Sequence, residues 1–223
     1  MIKFENVYYR GFKNVSFELK DGSMTKVLLK TNDDRADFLS LLTGFSVPDS
    51  GKVYITGSNI AAVSEKERNK MIKNLGIASS ELAFISNLSI IENITLPVKY
   101  HKGLKLKEIE DRLVVFYEEL GLDRDNLRAY VSRLPSTLTD EEKQVSALLR
   151  ALLMDCLIIV YDSIFAGVNG EIVKRMVTLT MDYHLRLPGR VSLYVSSREH
   201  SLKEITNCMT FKQTGHGFVE WTS

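Results

Sequence analysis

Soft metal ligands are scarce in this 223-residue chain, which has two cysteines and four histidines. Cys156 and Cys208 form no C-x-x-C pair, and His101, His184, His200 and His216 are scattered, so neither a disulfide framework nor a bound metal is expected. Both cysteines read as reduced packing residues. No apolar run reaches the roughly 18 residues of a bilayer span. The opening MIKFENVYYR alternates as a strand does and lacks the apolar centre of a signal peptide, so a cytoplasmic location is expected. Charge of either sign is not in excess: 29 Lys and Arg against 28 Asp and Glu leave +1, which removes the basic field expected of a nucleic-acid partner.

What the chain does have is apolar residues, 44% of the total, enough for the core of one α/β domain over 1–223. Residues 2–8 and 13–19 alternate around Arg10-Gly11 and predict an antiparallel hairpin. The run Lys26 to Leu29 predicts a short strand, Thr31-Asn32-Asp33-Asp34 a helix start, the stripe Phe38, Leu39, Leu41, Leu42 its buried face, and Gly44 its end. Strands are expected at 52–55 and 75–78. Ser89 and Glu92 have capping-box spacing. From about 88 to 150 no strand is convincing, and Ile109, Leu113, Phe116 and Leu120 recur at helical spacing, as in an inserted helical subdomain. After it, Leu157 to Tyr161 predicts a fully buried parallel strand with Asp162 at its carboxyl end. A helix over 170–185, a strand at 191–195, a short helix after His200 and closing strands near 209–211 and 218–221 complete the reading. An Asp after such a strand is either an ordinary loop residue or, in a phosphate-binding α/β fold, the group that holds magnesium.

Four stretches decide between these. KNVSFEL at 13–19 is similar to the "dVSFeL" strand of ABC transporter ATP-binding domains, and Pro48-Asp49-Ser50-Gly51 is similar to their "PdSG" turn. Ile91-Glu92-Asn93-Ile94 to Pro97 resembles "lENv..P" at the head of the helical insert, and Arg150-Ala151-Leu152 resembles the "ARAL" before the Walker B strand. In family order and at family spacing, these resemble the ABC nucleotide-binding domain over essentially the whole chain, closest in flavour to the small stand-alone ATPase subunits of bacterial lipid and lipoprotein exporters. The fold implied is a P-loop NTPase-like α/β core with an antiparallel β edge and an inserted helical subdomain.

The resemblance also implies where chemistry should sit, and there the chain departs. A P-loop cradles phosphate on glycine-lined backbone N–H groups, with a Lys for charge and a Ser or Thr for magnesium. Residues 29–37 occupy that place with no glycine: Asn32 and Asp34 are degenerate positions, Arg35 stands at the Lys and Ala36 at the hydroxyl, and Asp33 and Asp34 put two carboxylates where phosphate should lie. Asp33 and Asp34 have an ordinary role available as helix caps. Ser80 stands for the Q-loop Gln, Ser163 for the Walker B Glu, Asn169 for the D-loop Asp and Ser197 for the H-loop His. Leu138-Thr139-Asp140-Glu141-Glu142 replaces the "LSGGQ" signature, with Thr139 and Glu142 at capping-box spacing. Asp162, Gln144 and Tyr9, which stands for the adenine-stacking aromatic, are what remains. Arg35 is expected to turn inward and pair with Asp162.

The expectation is therefore a non-catalytic ABC ATPase-like subunit, with no catalytic residue, no cofactor and no metal. Its partners would be a membrane permease subunit, a second ABC ATPase subunit or both, placing it peripherally at the cytoplasmic face of a membrane. The family's docking groove falls around Phe84, Ile85 and Leu88, which have subdomain core as their other reading. Two alternatives stay open: a weakly nucleotide-binding ATPase that takes up ATP and Mg beside a competent partner, and a regulatory or scaffolding protein that reuses the fold.

Overall fold

The computed structural model describes residues 2–79, 81, 84–168, 170–215 and 217–220. Ser80, Asn169 and His216, named above, lie outside the described residues, as does the last position of the strand expected near 218–221. The chain opens with β1 (Ile2–Tyr9) and β2 (Phe12–Leu19), an antiparallel hairpin turning at Arg10 and Gly11. Strict alternation would bury Asn6. A bulge there, with Asn6 at φ 49°, instead shifts the register so that Val7 follows Ile2 and Phe4 into the core. Then come β3 (Met24–Leu28), α1 (Asn32–Thr43), β4 (Ser50–Ile55), the two-residue β5 (Ser58–Asn59), α2 (Glu65–Ile72) and β6 (Leu75–Ser79).

No strand is assigned to the described residues between β6 and Ile158. That stretch holds α3 (Ile90–Lys102), α4 (Leu106–Glu119), α5 (Arg124–Val131), a 3-10 turn over Pro135–Thr137 and α6 (Asp140–Leu153). The Ser89 and Glu92 box forms at the head of α3, where Glu92 accepts the Ser89 N–H at 2.7 Å. The chain closes with β7 (Ile158–Asp162), α7 (Gly170–Leu185), β8 (Val191–Ser196), a 3-10 turn over Glu199–Leu202, β9 (Met209–Thr214) and β10 (Gly217–Glu220). Leu157 departs from the expectation. It lies before β7, not in it, and is 39% exposed, because the pairing with β6 begins at Ile158 opposite Leu75.

Two sheets result. The first is antiparallel, in the order β2-β1-β4-β5; the second runs β10-β9-β3-β8-β7-β6, parallel from β9 through β6. Phe4, Phe17 and Phe38 stack between the first sheet and α1, with Phe4 4.7 Å from Phe17 and 5.3 Å from Phe38. Pairs of this kind add about 0.5–1.5 kcal/mol each beyond the area they bury. A second core joins α3, α4, α6 and α7 to the β6 side of the large sheet. Glycine is required at Gly51, where φ is +86° and a Cβ would lie 2.2 Å from the Asn6 carbonyl oxygen. Among the described residues, no helix is long and apolar enough to cross a membrane.

Candidate functional site

Only Leu29, Lys30 and Thr31 connect β3 to α1, and the segment is helical from Asn32 onward. The cap is Thr31, correcting the expectation that Asp33 and Asp34 would serve. Its hydroxyl accepts the Asp34 N–H at 3.0 Å and donates to the Asp34 carboxylate at 2.8 Å. Asp33 and Asp34 sit within the first turn of α1, where their charge complements the helix dipole. The neighbouring amides are also used within the chain. Leu29 N–H donates to the Ser196 carbonyl at 2.9 Å, Lys30 N–H to the Gln213 side-chain oxygen at 2.9 Å, and Arg35 N–H to the Thr31 carbonyl at 3.1 Å. Asn32 accepts the Ser197 hydroxyl at 2.5 Å, joining the degenerate segment to the residue that stands for the H-loop His.

Arg35 reaches down from the first turn of α1 into the sheet. Its side chain is 4% exposed, and Nη1 donates to Asp162 Oδ1 at 2.5 Å, the contact expected from the sequence. Nη2 donates to Glu81 Oε2 at 2.6 Å, a partner that sequence reasoning missed because nothing in the spacing of an exposed Glu marks it. Asp162 ends β7 in register with Ser79 of β6 and Val195 of β8, so a strand flanks it on either side. Burial pushes its carboxyl above the usual carboxylate range, with the hydrogen bond and charge of Arg35 and a bond from Ser79 acting the other way. Burial alone would lower the Arg35 pKa, but its hydrogen bonds to Glu81 and Asp162 outweigh this and leave it raised. Two carboxylates share one guanidinium, while Arg35 Nε is buried without a partner among the described residues.

The remaining positions are ordinary in their contacts. Ala36 is exposed, and Ser163 follows Asp162 with φ 48° and donates its N–H to the Val195 carbonyl at 2.9 Å. Tyr9 is half-buried, donates its hydroxyl to Ser46 at 3.1 Å, and has the Arg10 guanidinium 5.3 Å over its ring. At the head of α6, Thr139 N–H donates to Glu142 at 2.8 Å and Glu142 N–H to the Thr139 hydroxyl at 3.2 Å, so the expected capping box is present. Although burial opposes it, Glu142 is held below the usual carboxylate range by hydrogen bonds from Arg133 and Thr139. Leu138 is buried, Glu141 half-buried, and Asp140 97% exposed beside Lys143. Gln144 donates to the Ala166 carbonyl at 2.6 Å.

A groove of about 900 Å³ runs between β6, α3 and the end of α6, lined by Ile72, Ile77, Ile85, Leu96 and Tyr100 with Lys73, His101 and Arg150. Ile85 is 46% exposed on its rim. Leu88 is half-buried, and Phe84 is half-buried beneath the Arg150 guanidinium at 4.8 Å, so only Ile85 of the three presents itself freely. Asn93 holds this loop. It accepts the Ile85 N–H at 2.7 Å and donates to the carbonyls of Ile85, Leu88 and Ser89 at 3.0–3.1 Å. A polar residue on the apolar face of α3 was the available signal for that role.

A parallel sheet with an antiparallel sheet against it, a strand-to-helix connection above a buried Asp, and a helical stretch before that strand define an ABC-type ATP-binding cassette. The chain belongs to the ABC transporter family, whose profile matches residues 12–166. It is 24% identical over 156 residues to the intermembrane phospholipid transport system ATP-binding protein MlaF of Haemophilus influenzae, covering 70% of this chain and 57% of that protein. It is 27% identical over 202 residues to the lipoprotein-releasing system ATP-binding protein LolD of Aquifex aeolicus, covering 89% and 85%. The chain spans about half the length of several of the curated relatives it matches. The fold matches that of the ATP-binding cassette MJ0796 in a dimeric post-hydrolysis state bound to ADP and Pi, with a TM-score of 0.84 at 18% identity over 99% of this chain and 98% of that one.

Proposed function

We propose that this chain is a non-catalytic ABC ATPase-like subunit of a membrane transport complex, one that keeps the cassette fold and its docking surfaces without nucleotide chemistry. The carrying observation is the Arg35 ion pair with Asp162 and Glu81, which occupies the place where a phosphate-binding cation and a magnesium-binding carboxylate would have to stand apart. MgATP does not fit the residues present. The amides of Leu29, Lys30, Asp34 and Arg35 already have partners, the guanidinium is shared by two carboxylates, and Ala36 has no oxygen for a metal. The Asp34 carboxylate folds back toward Gly11, where a Cβ would meet it at 2.1 Å, and adds negative charge beside the helix start. The Thr139 and Glu142 box likewise satisfies its own helix end. On this reading Ile85 and the groove beside it receive a permease subunit, and a second cassette is the other partner.

Calorimetry with MgATP tests the reading. Micromolar binding is worth about 8 kcal/mol, and one carboxylate about 4 Å from a phosphate charge opposes it by about 4 kcal/mol at an effective dielectric of 20, less when the carboxylate is exposed. The expected result is no saturable heat at physiological MgATP and no phosphate release above a buffer blank. Micromolar affinity, or turnover abolished by Asp162→Asn, would favour the weakly active ATPase instead.

A further inference from the structure

The turn from α3 into α4 reads KYHKGLKLK over 99–107, with no carboxylate before Glu108. Lys99, Lys102, Lys105 and Lys107 are all exposed, and Tyr100 and Leu106 between them are 80% and 43% exposed. Leu96, one turn back along α3, adds a third exposed apolar side chain. Lysine ion pairs among the described residues are those of Lys3, Lys143, Lys203 and Lys212, so none of these four belongs to one. Lys102 makes a single long hydrogen bond, 3.5 Å, to the Asp155 carbonyl. Lys73 of the opposite wall lies close enough to matter: burial first, then the charges of Lys73 and Lys102, lower the pKa of His101. The positive field of the turn is that of its exposed lysines.

This concentration of charge stands out in a chain whose total is +1. An exposed tyrosine flanked along the chain by lysines has a specific physical use. Its ring is amphipathic and suits a water–lipid boundary, while lysine stems lie along apolar surface with their ammonium groups among anionic heads. We propose that the Lys99–Lys107 turn is a docking surface for the anionic phospholipid headgroups of a bilayer, with Tyr100 and Leu106 entering the interface. The orientation rests on the reading of the chain as a subunit of a membrane complex, because Tyr100, His101 and Lys73 also line the groove given to the permease.

The test is co-sedimentation of the full chain with vesicles of phosphatidylcholine alone and of phosphatidylcholine mixed with phosphatidylserine. Binding to the mixed vesicles only is expected, and it should fade toward 1 M salt, where the screening length falls to about 3 Å. Each lysine near an anionic surface contributes about a fivefold gain, so Lys99→Gln, Lys102→Gln and Lys105→Gln together should weaken binding about a hundredfold. These side chains are exposed, so thermal unfolding should be unchanged. Tyr100→Ala should weaken binding while leaving its salt dependence, and Ile85→Ala in the groove should leave it intact. Equal sedimentation with both vesicles, no sedimentation with either, as for a surface that takes an acidic protein segment, or full binding by the triple variant would each overturn the proposal. None of these results bears on MgATP affinity, so this proposal and the non-catalytic reading fail separately.

Discussion

Replacing Arg35 with methionine would strand Asp162 in the core. The carboxylate side chain is 2% exposed and its ion-pair partner is Arg35, so the variant must either ionise it without a counter-charge or protonate it. Removing one member of a buried pair costs about 3–5 kcal/mol, whereas replacing both with apolar or neutral groups of similar size is often close to neutral. The Glu81 arm adds little, since that carboxylate is 67% exposed and its pairing is worth at most about 1 kcal/mol. Arg35→Met should therefore lower the unfolding free energy by about 3–5 kcal/mol, with the melting temperature falling by about 6–20 °C for a chain of this size. Arg35→Met with Asp162→Asn should recover most of that loss, and Glu81→Gln alone should stay within about 1 kcal/mol of wild type. Urea unfolding with an unchanged slope reads all three, because an altered slope signals a different unfolded or native ensemble. The reasoning fails if Arg35→Met is as stable as wild type, or if the double variant is as unstable as the sum of its singles.

The box at α6 should behave locally: Thr139→Ala is expected to cost about 1 kcal/mol, and Glu142→Gln less, with neither altering the Arg35 pair. Urea midpoints of the two variants check this. Acid should act through the same kind of contact. Glu67 and Glu92 are held below their ordinary value of 4.5 by hydrogen bonds from Ser64 and Ser89, and Glu142 is lowered despite burial. A carboxyl lowered in the folded state stabilises above its unfolded pKa and loses that contribution as pH falls through the folded one. Asp162 has the opposite sign, since a raised folded pKa means that acidification relieves its cost. Stability followed by circular dichroism should thus fall below about pH 4.5. In Arg35→Met the Asp162 contribution should grow and shift part of the curve toward greater stability on acidification.

Features legible in the sequence were those set by neighbours along the chain. The turn at Arg10 and Gly11, the stop at Gly44, and the boxes of Ser89 with Glu92 and of Thr139 with Glu142 depend on residues at most a few positions apart. Their geometry is settled by backbone period and capping. The position of Asp162 at the end of a buried strand was legible for the same reason, but its choice over an ordinary loop residue came from the resemblance to the family. Its pairing with Arg35, 127 residues away, was legible only through the resemblance to a fold that brings those two positions to one phosphate site.

The sheet order decided the rest. Placing β3 between β9 and β8 brings Gln213 onto the Lys30 amide across 183 residues and Ser197 onto Asn32 across 165. Running β6 beside β7 carries Glu81 to Arg35 and leaves Leu157 outside the ladder at 39% exposure. No periodicity encodes such contacts. Each pairs a group on one strand end with a group on another, and the partner is fixed only when the strands have chosen their neighbours and register. Most elements, and the lack of glycine over residues 29–37, could be read along the chain because both are local properties. That the buried cation is shared by two carboxylates follows from the fold, because the order of the strands sets which side chains meet there.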